Sequence, residues 1–582
     1  MLDPTGKGIA HVFVEAKNED MAANRSTVSD DEGRFVLPLV PPGTYQISAA
    51  ESGYSQEQSI QVSVPVTETI RLSIPMKVAG VAETVSVQAN VSQLQDDSTA
   101  LGNVVQGQTI QDLPLASRNF TQIVDLSPGV LTGVNNAGQL GVGSGGLSQI
   151  DPGNDGIFVH GSRSYDNGYE FDGVPVNDLQ GSSNASGGIP IPSPDAIEQF
   201  KVQTGLYDVS FGEHAGASVS LVTKSGTNGI HGSAFEFFRN DVLNANDYFL
   251  NLAGQPRADL KQNQFGATIG GPIRHDRLFY FGSYQGTRQS NGLAANQARI
   301  ACSASFVTPP LTSDRSAQAL GGLFAGSRGA FGGVAIKEDG SNINPVAVEI
   351  LNFKLPNGSY LIPSPQVVDT SKPVAIQGLT ALSAPCHFDE DQVLANLDAN
   401  LPHDNSLALR FMWSNGTMNV SLPGNGLNGT GNIPGFPSNI DNRFRVASAS
   451  WVRPMRAEFL NELRFAYTST LGSTSAQAPF HWSDFGVPIG SMNNEDGLPS
   501  LGIIGSINLA SAYPRTFAQK RFYLSDMLTY SHGRHLLQMG GSLARLYDDV
   551  NIVGLGSLAD FLSWPDFLLG LNAEQNGTNL FS

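Results

Sequence analysis

Apolar and polar residues alternate with period two over several long stretches of this chain. In residues 406–414, Leu407, Leu409, Phe411 and Trp413 share one face, opposite Ser406, Ala408, Arg410 and Ser414. In residues 264–270, Phe265, Ala267 and Ile269 oppose Gln264, Thr268 and two glycines. Residues 392–401 set Val393, Ala395, Leu397 and Ala399 against Gln392, Asn396, Asp398 and Asn400, with Leu394 breaking the rule. A strand between lipid on one face and a water-lined interior on the other needs this period. Leu401-Pro402-His403-Asp404-Asn405 then reads as the turn joining two such strands into a hairpin. Less regular runs at 235–239, 278–287, 444–452, 463–468, 523–531 and 535–546 are further candidates, about ten strands in all. Phe265, Ile269, Leu407, Leu409, Phe411 and Trp413 are thus expected to face lipid. An arginine at 409 should harm assembly, and loss of the lumen-side Arg410 should be milder.

The opening of the chain has a different texture. Short runs rich in Val, Ile, Phe and Tyr at 11–17, 33–40, 44–50, 59–64 and 69–76 are separated by turn clusters such as Asp30-Asp31-Glu32-Gly33 and Pro41-Pro42-Gly43. Strands of this length and spacing predict a small β-sandwich. Residues 100–228 mix short amphipathic pieces, including a helix expected over 105–113, with strands and glycine-rich loops. The connections 289–390 and 414–441, rich in Gly, Pro, Ser and Asn, are too long for a compact soluble domain and fit extracellular loops.

Composition narrows the function classes. The 582 residues carry a formal charge of −19 and no basic run, which argues against nucleic acid as a partner. No run approaches the ~18 apolar residues of a membrane-spanning helix, but a barrel strand needs only ~9–11 residues. Met1-Leu2-Asp3-Pro4 opens on turn chemistry with no leader, and the true start is expected upstream. Cys302 and Cys386 are the two cysteines, without Cys-x-x-Cys spacing. A loop disulfide in an oxidising compartment and two separate buried thiols both remain open. Gly141-Val142-Gly143-Ser144-Gly145-Gly146 spells a dinucleotide fingerprint but follows no strand and opens no helix, so it reads as a loop. His387-Phe388-Asp389-Glu390-Asp391 offers metal-ligating atoms, yet such a charge run at a strand border is read as solvated surface. No catalytic residue, metal site or cofactor is assigned.

Four resemblances organise these pieces. Asp31-Glu32-Gly33-Arg34-Phe35 through Pro41-Pro42-Gly43-Thr44-Tyr45 to Gly53-Tyr54 resembles a carboxypeptidase regulatory-like domain, a transthyretin-like sandwich, over residues 1–80 and without its first strand. Glu83, Thr84, Val85, Ser86 and Val87, within a linker at 81–98, resemble the TonB box, a segment that pairs its backbone with a partner's strand. The ordered set Ile157–Arg163, Asp172-Gly173-Val174-Pro175 and Val222-Thr223-Lys224-Ser225-Gly226 is similar to the plug domain of TonB-dependent receptors of the Oar-like branch, here 99–228. Lys261–Gly266 and Gly270-Gly271-Pro272-Ile273 resemble the barrel of that branch, and residues 229–582 would be its first part.

The resemblance implies an all-β-dominated chain: a β-sandwich, an α+β plug, and part of a transmembrane antiparallel β-barrel. Plugged transporters have ~22 strands, so the barrel is expected to continue past Ser582. It further implies an outer-membrane protein with sandwich and plug on the periplasmic side, embedded in outer-membrane lipid. Its partners would be a TonB-type energy-transducing protein and a scarce extracellular solute, on analogy an oligosaccharide or a peptide, with the solute-binding residues unknown. The rival reading is a secreted multi-domain β-sandwich adhesin or carbohydrate-binding protein, whose reading frame would end soon after residue 582.

Overall fold

The computed structural model describes residues 1–78, 101–132, 157–177, 191–292, 300–423, 433–487, 499–552 and 558–577, with breaks of one to four residues inside these spans. Residues 83–87 and 141–146 lie outside the described residues.

The first unit is a four-stranded sheet of β1 (Phe13–Lys17), β2 (Asn24–Val28), β3 (Gly43–Ala50) and β4 (Glu57–Val64) in the order β2-β1-β3-β4. Two expected strands differ. Residues 33–40 and 69–76 form no ladder, whereas the polar segment Asn24–Val28 does. The alternation at 33–40 and 69–76 reported burial correctly: Ile74 and Met76 are core, and Phe35, Leu37, Ile70 and Leu72 pack on it. Pro38, Pro65 and Pro75 lie in or beside these runs and lack the N–H that a continuous ladder requires. Their pairing is reduced to isolated bridges such as Leu2 with Pro75.

The second unit comprises β5 (Leu101–Gln106), α1 (Gly107–Asp112), α2 (Thr121–Val124), β6 (Val130–Thr132), β7 (Ile157–Val159), β8 (Gly168–Phe171), β9 (Val174–Pro175), β10 (Ile197–Gly205) and β11 (Ser218–Thr223). Its main sheet has the order β5-β10-β11-β8-β9. The helix expected over 105–113 is split between β5 and α1, because Val104 and Val105 pair with Lys201 and Phe200.

A nine-stranded antiparallel sheet follows: β12 (His231–Asn240), β13 (Leu260–Arg274), β14 (Leu278–Asn291), β19 (Cys386–Asn400), β20 (Ser406–Val420), β22 (Ser438–Arg456), β23 (Phe459–Ala476), β26 (Arg515–His532) and β27 (His535–Ile552), each paired with the next. Alternation sorts residues as the sequence predicts. Ile269, Leu409 and Phe411 are exposed on the outer face, while Gln264, Thr268 and Ser414 are buried on the inner one. The irregular Leu394 has a specific partner. It pairs across strands with Met412, which pairs with Val446, and this apolar row packs on the core of the second unit with Phe281.

One end of the sheet carries short turns, at 275–277 and 401–405; the other carries long excursions. Two of these, 289–390 and 414–441, fit extracellular loops by composition, and the excursions carry secondary structure of their own. They hold α3 (Tyr248–Leu252), α4 (Ala317–Leu323), α5 (Pro345–Asn352), α6 (Trp564–Leu569), β15 (Ile300–Ala301), β16 (Ser303–Thr308), β17 (Val367–Val368), β18 (Gly378–Ser383), β21 (Leu422–Pro423), β24 (Ser500–Ile503), β25 (Ile507–Ala510) and β28 (Leu558–Phe561). Residues from four excursions, among them Leu320, Phe436, Trp482 and Trp564, share one apolar core. Arg315 is buried there, donating through Nη1 to the carbonyls of Leu351 and Ile362, both at 2.7 Å. Burial pulls its guanidinium down to about 10, and it remains charged at neutral pH.

Candidate functional site: the seam between plug and wall

The second unit lies against the inner face of the nine-stranded sheet, and several wall side chains converge on one of its tight turns. Phe171 pairs with Val174, so Asp172 and Gly173 form a two-residue hairpin loop, with φ of 49° and 74°. Asp-Gly suits such a turn because both residues must tolerate positive φ. A Cβ at 173 would also strike the Arg464 guanidinium at 2.4 Å.

The Asp172 carboxylate accepts from the Thr223 amide (2.9 Å) and hydroxyl (2.7 Å) within the plug. Arg410 of β20 reaches it from the wall, Nε to Oδ2 at 3.8 Å, while its Nη2 binds Asp398 of β19 at 2.8 Å. Burial pushes the Asp172 carboxyl above the usual range, and Arg410 and Thr223 pull it back. Arg464 of β23 donates to the Gly173 carbonyl at 2.7 Å and pairs with Glu462. Arg521 of β26 donates to the Pro175 carbonyl at 3.0 Å. Asn396 adds bonds to Thr223 Oγ1 and the Lys224 carbonyl, both at 2.8 Å.

Three arginines from three strands therefore hold the Asp172–Pro175 turn by side chains alone. On the far side Arg118 of the plug pairs with Asp195 and stacks on Phe235 and Phe237 of β12, 4.4 and 4.1 Å from the ring centroids. Burial lowers the Arg118 guanidinium, and Asp195 opposes that shift.

The Asp172–Pro175 motif is legible in the sequence, whereas which side chains grip it is not. Loss of Arg410 is expected from the sequence to harm assembly less than an arginine at 409; the structure adds that Arg410 serves two buried carboxylates, so its loss should act on the seating of the plug. A signal was present. Leu409-Arg410-Phe411, Leu463-Arg464-Phe465 and Lys520-Arg521-Phe522 repeat an Arg-Phe step in three strands, the cation inward and the ring outward. Phe411, Phe465 and Phe522 are all exposed.

The other flagged residues separate. In 387–391 side chains alternate faces: Asp391 takes Arg288 (2.9 Å) and Tyr284 (2.7 Å), while Glu390 on the other face takes Ser414 (2.8 Å). Among the described residues no three such side chains converge on a metal-sized site. Cys302 and Cys386 are bonded in the structure, with Cα atoms 5.3 Å apart, beside Phe388, Met418 and Val420. The bond closes the 84-residue separation that spans α4, α5 and β16–β18. On the chain-entropy relation it would stabilise the fold by up to about 4.5 kcal/mol. Non-reducing mass spectrometry of exported protein should find the linked peptide pair; two free thiols would remove the bond from the account.

Comparison with known families accounts for the layout. The family model described as Outer membrane beta barrel domain matches residues 222–579, that of the TonB-dependent Receptor Plug Domain matches 95–219, and that of the Carboxypeptidase regulatory-like domain matches 2–77. The chain belongs to the TonB-dependent outer-membrane receptors. It is 27% identical over 303 residues to the TonB-dependent transporter Oar of Myxococcus xanthus, an overlap of 49% of this chain and 26% of that one. Among solved structures it is similar to the outer membrane transporter YddB of Escherichia coli, at 11% identity and a TM-score of 0.43 over 77% of this chain and 48% of that one. It is also similar to the ferric enterobactin receptor of Pseudomonas aeruginosa, at 13% identity and a TM-score of 0.44 over 78% and 50%. The chain thus spans about a quarter of the curated relative and half of these structures. As a receptor of this family it lies in the outer membrane with its plug facing the periplasm, which sets the secreted-adhesin reading aside.

Proposed function

We propose that this receptor takes up a scarce extracellular solute, driven by a TonB-type partner that engages Glu83–Val87. The observation that carries the reading is the hold on the Asp172–Pro175 turn. The plug is seated by hydrogen bonds and ion pairs from wall side chains, and these can be broken and remade without disturbing any strand of the wall. A pull on the segment ahead of β5 would load that seat and open a path past the plug, with no covalent step. The regulatory-like domain favours an oligosaccharide or peptide as solute, by analogy alone.

Val85→Pro tests the coupling. It removes a donor N–H and fixes φ, so strand pairing with the partner should fail, whereas Val85→Ala keeps the backbone groups. With labelled oligosaccharide and peptide pools, Val85→Pro should abolish accumulation of whichever pool binds while surface binding stays intact. Normal accumulation would place the coupling segment elsewhere.

A further inference from the structure

A second network, at the short-turn end, joins the N-terminal domain to the wall and plug. Asn18 is buried, and its Oδ1 accepts from the amides of Asp20 and Met21, both at 3.0 Å, so the turn leaving β1 is set from inside the domain. Among the described residues of this turn, the carbonyls of Asp20 and Met21 are taken by other units. The Asp20 carbonyl accepts from the amide of Asn228, where the plug passes into β12, at 2.7 Å. The Met21 carbonyl accepts from Asn400 Nδ2 at 2.9 Å, and Asn400 also donates to the Asp276 carbonyl at 3.1 Å. Asn228 and Asp276 exchange two further bonds, of 2.8 and 2.9 Å.

Arg25, on the edge strand β2, completes the contact. It is 7% exposed, and its guanidinium donates to the Asp404 carbonyl and to Ser406 Oγ, both at 3.2 Å. The receiving turn is shaped for this, with His403 and Asp404 both at positive φ and Asn405 tying back to the Pro402 carbonyl at 2.7 Å. An edge strand normally leaves its polar groups open to other chains; here Arg25 of the edge strand reaches the 401–405 turn of the receptor's own wall.

We propose that Asp20, Met21 and Arg25 form a docking face for the periplasmic rim of this same chain, and that it holds the N-terminal domain as a fixed anchor beneath the plug exit. The segment between Val78 and Leu101 is then tethered at both ends. A partner that draws on it, in the reading given above, loads the plug instead of carrying the domain away. The interface itself does not depend on that reading.

The test is an Asp20→Cys/Asn228→Cys receptor in the outer membrane of living cells. A backbone hydrogen bond between these residues brings their Cα atoms within disulfide range. Mild oxidation should crosslink most of the receptor, seen as a reductant-sensitive gel shift absent from either single variant. Adding Arg25→Ala should slow the crosslink several-fold, and a protonophore should leave its rate unchanged. No crosslink in the double variant, or no effect of Arg25→Ala, would overturn the docking. A rate several-fold lower in energised cells than in protonophore-treated ones would show the domain leaving its seat and overturn the anchor. Transport itself is not read, so failure of the uptake reading would show only in the Val85→Pro result.

Discussion

An Arg410→Leu receptor is expected to lose about 3–5 kcal/mol of plug seating, the cost of removing one partner from a buried ion pair. The arginine stands between Asp172 and Asp398, and the side chains of all three are at least about five-sixths buried. Leucine would leave two carboxylates facing each other without a cation, and either protonation or water entry would have to follow. The plug should become sensitive to protease and unfold at lower urea, while the wall keeps its heat-resistant mobility in gels. Arg410→Lys should fall between, since one ammonium cannot fork to both acids. Adding Asp172→Asn to Arg410→Leu should restore part of the loss by removing one stranded charge. An Arg410→Leu plug as resistant as the unchanged protein would mean that the seat lies elsewhere.

One residue away the same strand gives the opposite chemistry. Leu409 and Phe411 point outward, 39% and 42% exposed. An arginine on the lipid face costs ~2–4 kcal/mol at mid-bilayer and ~0–1 near the interface. Phe411 lies two positions further than Leu409 from the 401–405 turn, so Phe411→Arg should impair insertion more than Leu409→Arg. Both should act on membrane assembly, measured as the folded fraction in outer membranes, whereas Arg410→Leu should act on the plug after assembly. Equal folded fractions for arginine at 409, 410 and 411 would refute the sidedness of β20.

Much of this architecture is legible in the chain. Period-two alternation found the wall strands and their lipid side, because a one-residue slip would turn every apolar group of β20 into the lumen. Ordered local motifs located the regulatory-like domain and the plug, since turns such as Asp172-Gly173 demand particular residues at particular places. Alternation also reported which residues of 33–40 and 69–76 are buried, though not that prolines would keep them from forming a ladder.

The remaining features depend on residues that meet only in three dimensions. Leu394 looked like an error in the pattern until Met412, Val446 and the plug core were placed against it. The long excursions read only as loops because their apolar residues are scattered without a regular period, and the core that buries Trp482 and Trp564 is assembled from four of them. Asp172 and Arg410 are 238 positions apart, and although the repeated Arg-Phe step marks Arg410 as an inward cation, nothing in it names Asp172 as the partner. Local sequence therefore set each element and its faces, through backbone geometry and the water–lipid boundary. Which luminal cation grips which turn was decided by tertiary packing, because a buried charge is tolerable only where the fold delivers its partner.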